Sequence, residues 1–392
     1  MRVLYVFRSL AYWGGIERIL VDKMNNLVSM YDYEVYMLTT DQGDHPVPYE
    51  LDARVHLRDL GIRLHQQYQY HGFKRWLVLC KLLQLYKRQL KDRIFKISPD
   101  VIICTTSNYW DINIISRVKG SIPLVVESHS IYKQTLIGKG TKGIISDYLY
   151  RRGLCQSQMI VTLTERDAEE WRKHFVHVCV IPNFVHLNDQ PCATLEEKRV
   201  IWVGRFDYQK RPMEMVRIWE KLYSQFPDWH LDMYGEGEHL AELETTVSSI
   251  GMNIHIHPPT SQIFDRYRNS SVLVSTSLFE PFGLVIPEAM SCGLPVVAYD
   301  CPYGPSYIIN DGVSGFLIQM NNRDAFASKL MLLMDNKMLR EKMGKASLLS
   351  SRLFSSRNIM EKWASLFSIN GMNDFSNYQS HDSSSIMSSK HT

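Results

Sequence analysis

The sequence predicts an α/β protein built from two Rossmann-like, doubly wound domains in tandem. Three observations carry this. Short runs rich in Val and Ile alternate with amphipathic helical stretches along most of the chain. Most of those runs are apolar on both faces, as strands of a parallel sheet covered by helices on each side must be. The two halves also open alike, each with a strand, a glycine-bearing turn and a helix, which is the start of a βαβ unit.

In chain order, the first half offers strands at Val3–Phe7, Glu34–Thr39, Val101–Thr105, Leu124–Glu127, Ile160–Thr164 and Val178–Ile181. After the first strand, Ile16, Ile19, Leu20, Met24, Leu27 and Val28 fall on one helical face. The segment 183–198 holds Pro191 and no clear periodicity, and reads as a linker between domains at 1–182 and 199–352. The second half offers strands at Val200–Val203, Leu231–Tyr234, Ile254–His257, Val272–Ser275 and Val296–Tyr299. A last helical stretch at 353–370, amphipathic over Asn358–Phe367, closes the fold. The tail 371–392 has seven serines and few apolar groups, so disorder is expected there.

Composition narrows the function classes. The 392 residues are 45% hydrophobic and 22% charged, with a net charge of +3. These proportions exclude wholesale disorder and give no global reason to expect a nucleic-acid partner. No apolar run approaches the roughly 18 residues of a membrane span. The opening MRVLYVFRSLAYWGG is broken by Arg8 and runs into a glycine turn, so it reads as a strand and not a signal peptide. A cytoplasmic protein is expected. The seven cysteines are odd in number and form no Cys-x-x-Cys, so buried free thiols are expected and not a disulfide frame or a zinc site.

Three segments carry chemistry. Gly14-Gly15, directly after the first strand, permits close backbone approach at a helix N-terminus that can meet an anion. A turn needing positive φ explains the glycines equally well. Arg205 and Lys210 flank the start of a helix at the matching point of the second half. A forked guanidinium beside an ammonium suits a diphosphate, and a solvated surface pair is the plain alternative. Glu280 and Glu288 lie eight positions apart around a loop bearing Pro281 and Gly283, with Glu288 in the first turns of a helix. Carboxylates that each accept several hydrogen bonds suit the vicinal hydroxyls of sugars.

The pieces GGIER, VGRFDYQK, EPFGLVIPEAMSCGLPVVAYD and DGVSGFLI, in this order, resemble the retaining nucleotide-sugar glycosyltransferases of family 4, which have the GT-B fold. IPNF at Ile181–Phe184, FPDWHLDMYGEGE at Phe226–Glu238 and Gly304–Ser306 also fit. The resemblance covers about residues 1–368. It implies two Rossmann-like domains facing across a cleft, an acceptor-side first domain, and a C-terminal helix that returns to it. Arg205 and Lys210 would bind the donor diphosphate and stabilise the leaving nucleotide. Glu288 would bridge the ribose hydroxyls, and Glu280 would hold a hydroxyl of the transferred sugar. Backbone amides of Phe282, Gly283, Leu284 and Val285 would hold sugar and phosphate, with Gly14 and Gly15 against the diphosphate. His129 sits where the family has a histidine close to the sugar. Tyr307 stands where the family often has Glu.

The function expected is therefore transfer of a hexose or N-acetylhexosamine from a nucleotide sugar, most simply a UDP-sugar. A glycan or polyprenyl-diphosphate-linked saccharide in surface polysaccharide assembly would accept it. No Asp-x-Asp occurs in the chain, so metal independence is expected, and no cofactor beyond the donor substrate. A sugar-nucleotide epimerase on the same fold and a catalytically silent scaffold subunit are the alternatives. The stretch Lys74–Lys96 sets eight cations against the single acid Asp92 and interleaves them with Trp76 and leucines. A second basic stretch runs over Lys133–Arg152. Such a helix suits an anionic membrane surface, or is an ordinary solvated face.

Overall fold

The computed structural model describes residues 1–107, 109–135, 141–187 and 192–368. The chain forms two compact units, one from Met1–Ile181 with the chain from Met360 onward, the other from Pro182–Ile359.

The first unit is an all-parallel seven-stranded sheet. Its strands are β1 (Arg2–Phe7), β2 (Glu34–Thr39), β3 (His56–Asp59), β4 (Val101–Thr105), β5 (Leu124–Glu127), β6 (Met159–Thr162) and β7 (Val178–Val180). They lie in the order β3-β2-β1-β4-β5-β6-β7. Leu4, Val6, Ile102, Val126 and Trp171 are among the side chains of its core. The second unit has β8 (Arg199–Val203), β9 (His230–Tyr234), β10 (Ile254–His257), β11 (Val272–Ser275), β12 (Val296–Tyr299) and β13 (Gly315–Ile318). These are also all parallel, in the order β10-β9-β8-β11-β12-β13. Trp202, Phe206, Trp219, Met233 and Phe326 lie in its core.

Both orders reverse direction at the middle of the sheet. Chain leaving β1 goes one way and chain entering β4 comes from the other, and β8 and β11 repeat the pattern. Loops at the carboxyl ends of such a strand pair diverge and leave a crevice, which is where doubly wound sheets bind ligands.

Two strands lie outside those the pattern predicts. β3 is an edge strand with the sequence HLRD, exposed on alternate residues, so it lacks the apolar signal of its neighbours. β13 pairs with β12 through Gly315, where a Cβ would sit 2.3 Å from the Val296 carbonyl oxygen. The strand expected at Ile160–Thr164 ends instead at Thr162. Thr164 caps the next helix (Glu165–Arg172), its hydroxyl accepting from the Asp167 amide.

The described part of the interdomain segment is packed against the second unit. Leu195 is buried and its carbonyl accepts from the Arg340 guanidinium at 3.2 and 3.3 Å. The final helix runs over Ser356–Ser368, and Trp363 of it is buried in the first unit. The tail 371–392 lies outside the described residues. All seven cysteines are free, but Cys155 and Cys192 are exposed and Cys80 is half-buried, so burial holds only for Cys104, Cys179, Cys292 and Cys301.

Candidate active site

The second unit assembles its polar cluster at the carboxyl ends of β8 and β11. The loop after β8 is tightly held. A Cβ on Gly235 would come within 1.9 Å of the Gly204 carbonyl, and one on Gly237 (φ +150) within 2.5 Å of the Phe206 carbonyl. Glycines here let two loops lie backbone against backbone. Asp207 Oδ1 then accepts the Lys210 amide at 2.9 Å and turns the chain into the helix Pro212–Trp219. Gln209 fastens this loop to the one after β11: its carbonyl accepts the Leu278 amide at 2.8 Å, and its side chain donates to the Phe279 carbonyl at 3.1 Å.

Lys210 reaches across that join. Its Nζ donates to Glu280 Oε1 at 2.5 Å, and Ser277 Oγ donates to the same oxygen at 2.7 Å. The Glu280 carboxylate is 4% exposed and the lysine side chain 16%. The Glu280 backbone is clamped as well, its amide donating to the Pro302 carbonyl and its carbonyl accepting from Tyr303 and Gly304. Arg205 differs. It is 68% exposed, pairs with Asp207 at 2.8 Å and donates to Gln209 at 3.3 Å. Each cation thus stands on a carboxylate. Both carry more N–H donors than those contacts use, so a diphosphate can be met without breaking either pair.

Beyond Glu280, Gly283 adopts φ +87 and opens the helix Val285–Ser291. Leu284 and Val285 are half-buried. The Phe282 ring is buried edge-on against Phe354 at 5.5 Å, so the ring itself does not face a ligand. Glu288 lies in the first turn of that helix, buried, with its Oε2 accepting the Tyr267 hydroxyl at 3.4 Å. Tyr307 packs near Phe354, with ring centroids 6.1 Å apart.

The first unit places Gly14, Gly15 and His129 at the carboxyl ends of β1 and β5. Gly14 is the N-cap of the helix Gly15–Tyr31 with φ −118, and Gly15 is not in the left-handed region either. Positive φ therefore does not explain the pair. At Gly14, a Cβ would fall 2.0 Å from Glu17 Oε2, so the Glu17 carboxylate folds over the turn. His129 Nε2 lies 3.0 Å from Glu127 Oε2, and its side chain is 5% exposed. Lys23 Nζ donates to that same carboxylate oxygen. Burial alone would raise the Glu127 carboxyl, but Lys23 and His129 outweigh it and hold the group ionised, below the usual range.

Asp207, Ser277, Tyr267, Lys23 and Glu127 are absent from the residues that sequence reasoning singles out. Lys23 had a signal: it interrupts the apolar face between Leu20 and Met24, and a cation there must find a buried partner. Among the described residues, no group of three or more His, Cys, Asp or Glu is placed to hold a metal ion.

Two family models match the chain, "Glycosyltransferase Family 4" over residues 13–189 and "Glycosyl transferases group 1" over residues 189–348. The chain belongs to glycosyltransferase family 4. An uncharacterized glycosyltransferase of Haemophilus influenzae is 25% identical over 356 residues, covering 89% of this chain and 95% of that one. The amylovoran biosynthesis glycosyltransferase AmsD of Erwinia amylovora is 22% identical over 379 residues, 92% of this chain and 98% of its own. Among solved structures, a TarM mutant of S. aureus in complex with UDP, fondaparinux and α-GlcNAc-glycerol superposes with a TM-score of 0.74 at 16% identity, covering 94% of this chain and 99% of that one. That likeness establishes the fold, and this glycosyltransferase has the two parallel-sheet units of the GT-B class. Among the described residues no helix is long and apolar enough to cross a membrane.

Proposed function

We propose that this glycosyltransferase moves a hexose or N-acetylhexosamine from a UDP-sugar, with retention and without a metal, onto a glycan or saccharide-lipid acceptor in surface polysaccharide assembly. The observation that carries the reading is the Lys210–Glu280–Ser277 cluster at the switch point of β8 and β11. It sets a cation for a phosphate beside a carboxylate for a sugar hydroxyl. AmsD, named for amylovoran biosynthesis, and the TarM complex with UDP favour the acceptor and donor classes. Retention rests on the family resemblance, and metal independence on the lack of an Asp-x-Asp pair in the chain.

Leaving of the nucleotide makes the anomeric carbon cationic and loads negative charge on the β-phosphate. Arg205 and Lys210 take that charge, which is electrostatic stabilisation of the transition state. Glu280, held by Ser277 and Lys210, accepts from a sugar hydroxyl and fixes the ring. Glu288 takes the ribose hydroxyls, and the amides of Phe282 to Val285 and the Gly14-Gly15 turn bind the phosphates. His129 lies by the transferred sugar. Same-face attack, with the departing phosphate taking the acceptor proton, gives retention without a protein nucleophile.

The helix Gly72–Ile97 supports a peripheral contact with anionic membrane at its cytoplasmic face. It buries only Tyr86, Leu90 and Ile94. Phe73 and Trp76 stand exposed and stacked, 5.6 Å apart, among Lys74 and Arg75. Aromatic rings beside cations suit a headgroup boundary.

The test is sugar release from a panel of nucleotide sugars without acceptor. Slow release of free sugar from one UDP-sugar is expected. Interconversion of the bound sugar would instead make the chain an epimerase, and no turnover with any donor would make it a scaffold.

A further inference from the structure

The first unit holds a buried ion pair that the proposed donor chemistry leaves without a task. Lys23 and Glu127 are each 2% exposed. Apolar replacements of such pairs are often neutral or stabilising, so stability alone is a weak reason for one to be there. The pair is built asymmetrically. Lys23 Nζ and His129 Nε2 both meet Glu127 Oε2, while Oε1 is buried with no partner, as is the Tyr5 hydroxyl. Trp363 closes the other side, its ring centroid 4.1 Å from Lys23 Nζ. All the hydrogen bonding of this carboxylate is therefore gathered on the oxygen that holds the histidine.

We propose that Lys23 and Glu127 are positioning residues for His129: the carboxylate, locked by the lysine, anchors Nε2 and leaves Nδ1 as the nitrogen presented to the donor sugar. The identity of that ligand rests on the proposed transferase reading; the positioning does not. Among the described residues, the histidine's one side-chain hydrogen bond is the bond through Nε2. The charges around the ring come from two elements. Glu127 stands at the end of β5, and the helix Gly15–Tyr31 brings Lys23 and Glu17, whose carboxyl is raised by burial. Tyr5 from β1 and Cys104 from β4 also face the pair, and burial keeps both uncharged. Glu127 sets a negative charge against the ring, and Lys23 a positive one on the same oxygen.

That shared oxygen gives a test a merely structural pair does not satisfy. The full-length chain is compared with Glu127→Gln, Lys23→Met and the double variant, by thermal unfolding, by the position of the His129 ring signal in NMR at one fixed pH, and by UDP-sugar hydrolysis. His129→Ala assigns the signal. In each folded single variant the ring signal shifts or broadens, because the Nε2 anchor is lost or loosened. In each single variant kcat falls about tenfold or more, while the donor KM changes less than about threefold. A ring signal left unmoved in both folded single variants, or a kcat unchanged in both, overturns the proposal. Should the single variants unfold, the double variant decides: hydrolysis at the unaltered kcat overturns the proposal, and a tenfold loss in a folded chain supports it. The NMR reading needs no turnover. A displaced ring signal in single variants of a chain that hydrolyses no UDP-sugar would uphold the positioning and remove the transferase reading instead.

Discussion

Arg205 and Lys210 look equivalent along the sequence, but the structure gives them different physics. Arg205 is 68% exposed, so its pair with Asp207 contributes at most about 1 kcal/mol. Lys210 sits on a carboxylate that is 4% exposed, and its removal leaves Glu280 with Ser277 as its side-chain partner. Arg205→Ala should therefore leave the thermal midpoint within about two degrees of the unaltered chain while turnover falls ~10²-fold. Lys210→Ala should lose turnover to at least the same degree and lower the midpoint by several degrees. Melting curves and donor hydrolysis on the two purified variants check the contrast. Asp167 supplies a pH prediction. Burial pushes its carboxyl up to about 6, against the Tyr132 amide and the Trp171 indole that favour the charged form. The folded value lies above the ordinary 3.8, so the folded chain holds more protons between those two values and loses stability as pH rises through them. Asp167→Asn removes that slope. Its melting temperature relative to the unaltered chain should rise between pH 4 and 7; a constant difference would remove the linkage. Arg205, Lys210, Glu280 and Glu288 could be proposed from the sequence because each pattern falls within a few residues. Lys23 and Glu127 could not, because the partners are 104 positions apart and only the β1–β4–β5 pairing brings them together.

At the level of elements, apolar strands were readable and polar edges were not. β1, β4 and β5 are buried along nearly their whole length and announce themselves as Val- and Ile-rich runs. β3 borrows its strand character from β2, and nothing within HLRD demands it. The loop from Glu280 to Phe282 depends on a glycine elsewhere in the chain. A Cβ on Gly304 would lie 1.9 Å from the Phe282 carbonyl oxygen. Gly304→Ala must push that loop, and with it Glu280, out of place. A donor KM raised at least about tenfold is expected in steady-state kinetics; an unchanged KM would show that the loop's exact position is indifferent to the donor. The helix Gly72–Ile97 carries the membrane prediction. Sedimentation with anionic vesicles should fall on raising salt. It should also fall in Phe73→Ser/Trp76→Ser, which removes the exposed rings and leaves the charge; equal binding by that variant would leave only a diffuse electrostatic attraction.

The whole molecule repeats one device twice: a parallel sheet whose order reverses at its centre and gathers polar side chains at the strand ends. Tandem repetition of strand, glycine turn and helix made this much visible in the sequence. Chelation with excess EDTA should leave turnover unchanged in the full-length enzyme, and activity restored only by an added divalent ion would contradict the metal-independent reading. The central proposal is that a nucleoside diphosphate is held by the Arg205 and Lys210 cations. Calorimetric titration of UDP and of uridine into the full-length chain, and into Arg205→Ala/Lys210→Ala, tests this most directly. UDP should bind the unaltered chain at least about a hundredfold more tightly than uridine, and the double variant should lose most of that difference. Equal affinities for the two ligands, or a preference for UDP untouched by both substitutions, would contradict it.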